Sequence, residues 1–104
     1  MPTWPNQLFI DGEWTDGQTR RTWTVRNPAT GAVLADVAMA DQADVDRAVM
    51  AARRAFDSGP WPRLDGLERG RMLRRLADGI RASLEEFAMT DTLNVGKPIR
   101  DTRG

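Results

Sequence analysis

Cys and His, two of the side chains most used in catalysis, are absent from all 104 residues of this chain. Their absence removes thiolate nucleophiles, disulfides, zinc sites of the usual kinds and imidazole acid–base chemistry. The remaining candidates each fail on spacing. Gly96-Lys97 suggests a phosphate-binding loop, but such a loop needs a Gly where Asp91 stands and a Ser or Thr where Pro98 stands. No G-x-G-x-x-G occurs, so no dinucleotide fingerprint is present. Glu85 and Glu86 form a carboxylate pair in sequence only, because adjacent helix positions point about 100° apart and cannot share a substrate. The basic stretch Arg69-Gly70-Arg71-Met72-Leu73-Arg74-Arg75 is interleaved with Asp65, Glu68 and Asp78, which makes it a solvated helix face rather than a nucleic-acid surface. Trp4, Trp14, Trp23 and Trp61 read as core and interface anchors rather than a stacking platform.

The elements that must position these side chains change character near residue 41. Before it, residues 7–40 read as strands and turns. Leu8-Phe9-Ile10 runs into Asp11-Gly12 and Glu13-Trp14, and Asp-Gly between apolar segments is a strong hairpin signal. After the polar interval Thr15 to Arg21, Trp23 and Val25 alternate with Thr22, Thr24 and Arg26. Asn27-Pro28-Ala29-Thr30-Gly31 turns the chain, and Val33, Leu34 and Val37 return it. The expectation is one small antiparallel unit of three or four strands.

Residues 41–96 read as helical. Asp41 precedes a stripe of Val45, Ala48, Val49, Ala52, Ala55 and Phe56 at spacings of three and four. Asp41 caps the start, with Asp44 and Asp46 in the first turn. Arg53 and Arg54 are expected in the last turn, before the stop at Asp57-Ser58-Gly59-Pro60. A second helix starts at the capping-box variant Asp65-Gly66-Leu67-Glu68 and shows Leu73, Leu76, Ala77, Ile80 and Leu84 on one face. Ser83-Leu84-Glu85-Glu86 signals a third helix running through Val95 to Gly96. A single bent helix from 67 to 95 is the alternative, since no Gly or Pro enforces the break.

Composition bounds the class. Apolar residues make up 40%, charged residues 29%, and 15 basic side chains balance 15 acidic ones. One small α+β domain fits that length and makeup, with no field drawing it to nucleic acid or an anionic membrane. No secretory signal is visible at Met1-Pro2-Thr3-Trp4-Pro5-Asn6, and no apolar run reaches the ~20 residues of a membrane helix. Arg outnumbers Lys fourteen to one, which is read as coding bias. The expectation is a cytoplasmic, bacterial protein.

The order of these segments resembles the opening of the NAD(P)-dependent aldehyde dehydrogenase superfamily. The resemblance rests on Leu8-Phe9-Ile10-Asp11-Gly12-Glu13-Trp14, on Asn27-Pro28-Ala29-Thr30-Gly31 with Val33-Leu34-Ala35, and on Asp44-Val45-Asp46-Arg47-Ala48-Val49. It continues through Trp61, Glu68-Arg69 and Leu73 to Thr92-Leu93-Asn94-Val95-Gly96-Lys97-Pro98. It covers nearly the whole chain from Leu8, but only the opening fraction of a family member.

The resemblance implies an α+β segment, N-terminal β-hairpins followed by two or three helices, packed on an α/β Rossmann-like cofactor domain. In the family a Cys thiolate attacks the aldehyde, hydride passes to the nicotinamide of NAD or NADP, and a Glu-activated water releases the acid. Those groups would lie beyond Gly104. Residues 1–104 would then be an incomplete N-terminal part, inactive and binding neither cofactor alone. Its partners would be the remainder of the chain and, in the full-length family, further copies in a dimer or tetramer. Some members hold a potassium or sodium ion on two backbone carbonyls before the Asn-Pro turn and on an Asp near the Gly-Lys. Here those positions are Val25, Arg26 and Asn94, where Asn replaces the Asp. The alternative role for Asn94 is to cap the end of its helix. A free-standing, non-catalytic interaction module built on the same hairpin-and-helix unit is the other reading of the whole chain. Uncovered, its apolar stripes would leave the isolated chain partly molten or self-associated.

Overall fold

A computed structural model describes residues 3–104. Met1 and Pro2, part of the stretch read for a targeting signal, lie outside the described residues. Strand β1 (Leu8–Ile10) pairs antiparallel with β2 (Glu13–Thr15), with Phe9 opposite Trp14. The turn between them has positive φ at both Asp11 (55°) and Gly12 (81°), as a two-residue type I′ hairpin requires. The Phe9 and Trp14 rings meet at 4.9 Å between centroids.

Strands β3 (Thr22–Arg26) and β4 (Val33–Ala38) form a second hairpin. Asn27 closes its turn three ways. Its carbonyl accepts from the Gly31 amide at 2.8 Å, its amide donates to the Ala32 carbonyl at 2.9 Å, and its side-chain oxygen accepts from the Ala29 amide at 2.9 Å. Gly31 supplies the left-handed residue, φ 74°. The ladder is irregular between Val25 and Arg26, where Ala35 and Val33 are the respective partners and Leu34 is the extra residue.

The four strands do not join into the single unit that their spacing suggests; they make two separate two-stranded sheets. The polar interval explains the split. Instead of turning β3 back beside β2, it folds onto the first helix: Gly17 is buried and the Gln18 amide donates to the Asp44 carboxylate at 2.9 Å.

Helix α1 (Gln42–Ser58) opens with a complete capping box. The Asp41 side chain accepts from the Asp44 amide, and the Asp44 side chain accepts from the Asp41 amide. The helix runs two residues further than expected, through Asp57 and Ser58, so Arg53 and Arg54 lie before its last turn, which holds no basic residue. Asp57 continues the helix and pairs with Arg53 at 2.9 Å, while Arg54 reaches across to Asp11 at 2.7 Å. Gly59 and Pro60 then end it, and a 3-10 turn at Trp61–Arg63 leads to α2 (Gly66–Ala82). Asp65 and Glu68 form the second complete capping box.

The chain breaks at Ser83, so α2 and α3 (Leu84–Val95) are distinct helices rather than one bent rod. The expected Ser83 capping box is not made: its side chain accepts no capping bond, and its backbone sits at φ −111°, ψ 20°. Gly96 stops α3 in the left-handed conformation, φ 76°. A further helical turn, α4 (Ile99–Thr102), follows, and Arg103 after it grips Glu85 of α3 through two guanidinium nitrogens.

These elements enclose little. Among the described residues the buried apolar core is Ala88 alone. Trp23 is 62% exposed and Trp14 54%, so the tryptophans form no core within the chain. The accessible surface is 8104 Å², whereas a compact monomer of this mass would expose about 5,800 Å². The chain spreads over 48 × 37 × 16 Å with a radius of gyration of 17.0 Å, against about 13 Å for a compact domain of this length.

Candidate functional site

Two places gather polar groups from distant parts of the chain. The first is a cleft of about 290 Å³ between the N-terminal arm, the β3–β4 hairpin and α3. Its walls include Trp4, Val25, Leu34, Val37, Thr90 and Asn94. Alternation on β3 and β4 turns Val25 and Val37 to this side, and the extra residue Leu34 adds a third apolar wall. Helical spacing of four stacks Thr90 and Asn94 on one face of α3. The Trp4 indole N–H donates to the Thr90 hydroxyl at 2.9 Å, and that hydroxyl donates to the Glu86 carbonyl at 2.8 Å. Beside the cleft, the β3–β4 turn meets the end of α3: a Cβ placed on Gly96 would stand 3.2 Å from Pro28 Cγ.

The three residues matched to a cation site are distributed unevenly. Val25 and Asn94 both line this cleft, whereas Arg26, expected to contribute its backbone carbonyl, is not among the walls, and its guanidinium donates to the Gly31 carbonyl at 3.1 Å. Asn94 lies inside the last turn of α3, and Gly96 closes that helix in its place. Among the described residues no group of three or more Asp, Glu, His or Cys side chains converges as a metal site.

The second place is Asp44, which the sequence reading assigned only to the first turn of a helix. Its side chain is fully buried and is held by the backbone amides of Asp41 at 3.1 Å and Gln18 at 2.9 Å. Arg47 adds a guanidinium contact at 2.7 Å. The Asp41 amide, then the Gln18 amide, then Arg47 pull its pKa down to about 2, against the opposing cost of burial. All of its partners are structural, so the carboxylate fastens the 17–18 turn to α1 and is not free to move a proton near neutral pH. The Asp41-x-x-Asp44 spacing was the signal for half of this arrangement. The Gln18 half comes from 26 residues away and left no local trace.

Neither place assembles a nucleophile, a general base or a hydride acceptor. No helix among the described residues is long and apolar enough to cross a membrane. What the arrangement provides is a scaffold with a large apolar face. On that face, Leu73, Leu76 and Ile80 of α2 are each between 46% and 61% exposed.

Comparison with known proteins places this scaffold. The model of the aldehyde dehydrogenase family matches residues 14–104. The chain is 50% identical over 94 residues to the mitochondrial aldehyde dehydrogenase of Equus caballus, a span of 89% of this chain and 19% of the horse protein. The NAD-dependent aldehyde dehydrogenase of Sinorhizobium meliloti superposes with a TM-score of 0.90 at 43% identity, over 94% of this chain and 20% of that one. The betaine aldehyde dehydrogenase of Staphylococcus aureus, solved in complex with NAD+, superposes with a TM-score of 0.91 at 34% identity, over 95% and 20%. The chain thus spans about one fifth of the length of these relatives. The match of the family's model over residues 14–104, with superpositions that cover 94% and 95% of the chain, establishes that the chain belongs to the aldehyde dehydrogenase family.

Proposed function

We propose that residues 1–104 form the N-terminal scaffold of an enzyme that oxidises an aldehyde to a carboxylic acid with NAD or NADP, and that they carry out no step of that reaction themselves. The observation that carries this reading is the uncovered apolar face, on a chain that matches only one fifth of its relatives. An excess on the order of 2,300 Å² over a compact monomer is of the size buried by obligate interfaces. The remainder of a family-length chain is the occupant that fits it.

Aldehyde oxidation by a nicotinamide needs a nucleophile to make the aldehyde carbon a hydride donor, and this chain has no Cys to serve. Its own residues do architectural work. Asp44 ties the first turns to α1, the two capping boxes fix where α1 and α2 start, and Pro28 seats the second hairpin against Gly96. Further copies of the full-length chain, as a dimer or tetramer, complete the proposed assembly.

A chimera tests the proposal. Replacing the matched fifth of the horse mitochondrial enzyme with this chain should give a folded protein that still reduces NAD+ in the presence of aldehyde, while the 104-residue chain alone gives no turnover. A chimera that folds but has lost aldehyde oxidation would favour the free-standing interaction module.

A further inference from the structure

The resemblance implies a monovalent cation held by the backbone carbonyls of Val25 and Arg26 and by the Asn94 side chain, and the side chains of this cleft add no negative charge to hold one. A hard monovalent cation is held by converging oxygens, and a carboxylate among them offsets the cost of stripping its water. No carboxylate lines this cleft; its walls are Trp4, Val25, Leu34, Val37 and other neutral side chains, with Thr90 and Asn94 as the side chains bearing oxygen. The Thr90 hydroxyl is already committed, receiving the Trp4 indole N–H and donating to the Glu86 carbonyl. The Arg26 side chain, the one formal charge at the three matched positions, is positive and is turned to Gly31.

The same seam is closed by contacts that need no ion. The Trp4–Thr90 hydrogen bond ties together residues 86 apart in the chain. The Asn27-Pro28 turn rests on the left-handed Gly96, where any side chain would press on Pro28. We propose that in this chain the seam between the N-terminal arm, the β3–β4 hairpin and α3 holds without a monovalent cation: the neutral Asn94 excludes the ion, and the Trp4–Thr90 hydrogen bond closes the seam in its place. This concerns the seam alone and is independent of aldehyde oxidation, so its failure and that of the enzymatic reading are read by different measurements.

Urea unfolding of the 104-residue chain, followed by circular dichroism at one fixed protein concentration, provides the test. The solutions are potassium, sodium and tetramethylammonium chloride at equal ionic strength. The wild-type midpoint should be the same in all three. Trp4→Phe keeps an aromatic ring, though a smaller one, and removes the indole N–H donor, and should lower the midpoint by roughly 0.5 M or more, equally in each salt. Asn94→Asp restores a charged oxygen and should raise the midpoint in potassium or sodium relative to tetramethylammonium. A wild-type midpoint that rises with potassium or sodium overturns the proposal. So does a Trp4→Phe midpoint equal to wild type, or an Asn94→Asp chain indifferent to the cation. Should Asn94→Asp fail to fold, the wild-type series and Trp4→Phe decide the matter.

Discussion

Asp44 combines three tasks in one carboxylate: it completes the α1 capping box, accepts from the Gln18 amide across 26 residues, and neutralises Arg47. Its pKa is depressed to about 2, mainly by the two backbone amides, against about 3.9 in an unfolded chain. A depressed carboxylate contributes stability that is fully present above the unfolded value and is lost as pH falls through the folded one. Asp44→Asn cannot titrate and keeps only one acceptor oxygen. The wild-type chain should therefore be the more stable near neutral pH, and its advantage should shrink as pH drops from about 4 towards 2. Urea midpoints of both chains over that range check this; an advantage independent of pH would contradict it. At this scale the sequence was only half informative. Asp41 announced a helix start with Asp44 in its first turn, but nothing local to either residue announced Gln18. Likewise, nothing near Trp4 announced Thr90.

At the scale of elements, local rules carried the reading where they acted alone. Asp11-Gly12 produced its hairpin because both residues accept positive φ, and Asp65 with Glu68 started α2 because each satisfies the other's free amide. Replacing Asp65 by Ala should cost about 1 kcal/mol and lower helix content, read as a fall in the urea midpoint and in ellipticity at 222 nm. An unchanged midpoint would mean that α2 is set by packing rather than by its cap. Local rules failed where two elements compete for one segment. The Ser83 box did not form, because Ser83 already terminates α2, donating its amide to the Ile80 carbonyl at 3.1 Å. The strands separated into two sheets because residues 16–21 were recruited by α1. Arg53 and Arg54 fell short of the last turn because Asp57 and Ser58 extend the helix.

For the whole molecule, amphipathic stripes were legible as periodicity, but periodicity does not name the surface that covers them. Leu73, Leu76 and Ile80 keep helical spacing and remain exposed, and α1 adds Val49 and Phe56 at 61% and 66%. An apolar surface this large exceeds what a soluble monomer ordinarily carries. The central claim is that this chain is the scaffold part of a larger folding unit. Sedimentation velocity on the purified 104-residue chain over a range of micromolar concentrations tests it most directly. The account predicts concentration-dependent species heavier than 11.6 kDa, formed by apolar faces covering one another. A single 11.6 kDa monomer at every concentration, unfolding in one sharp two-state transition, would contradict it and mark the segment as an autonomous module.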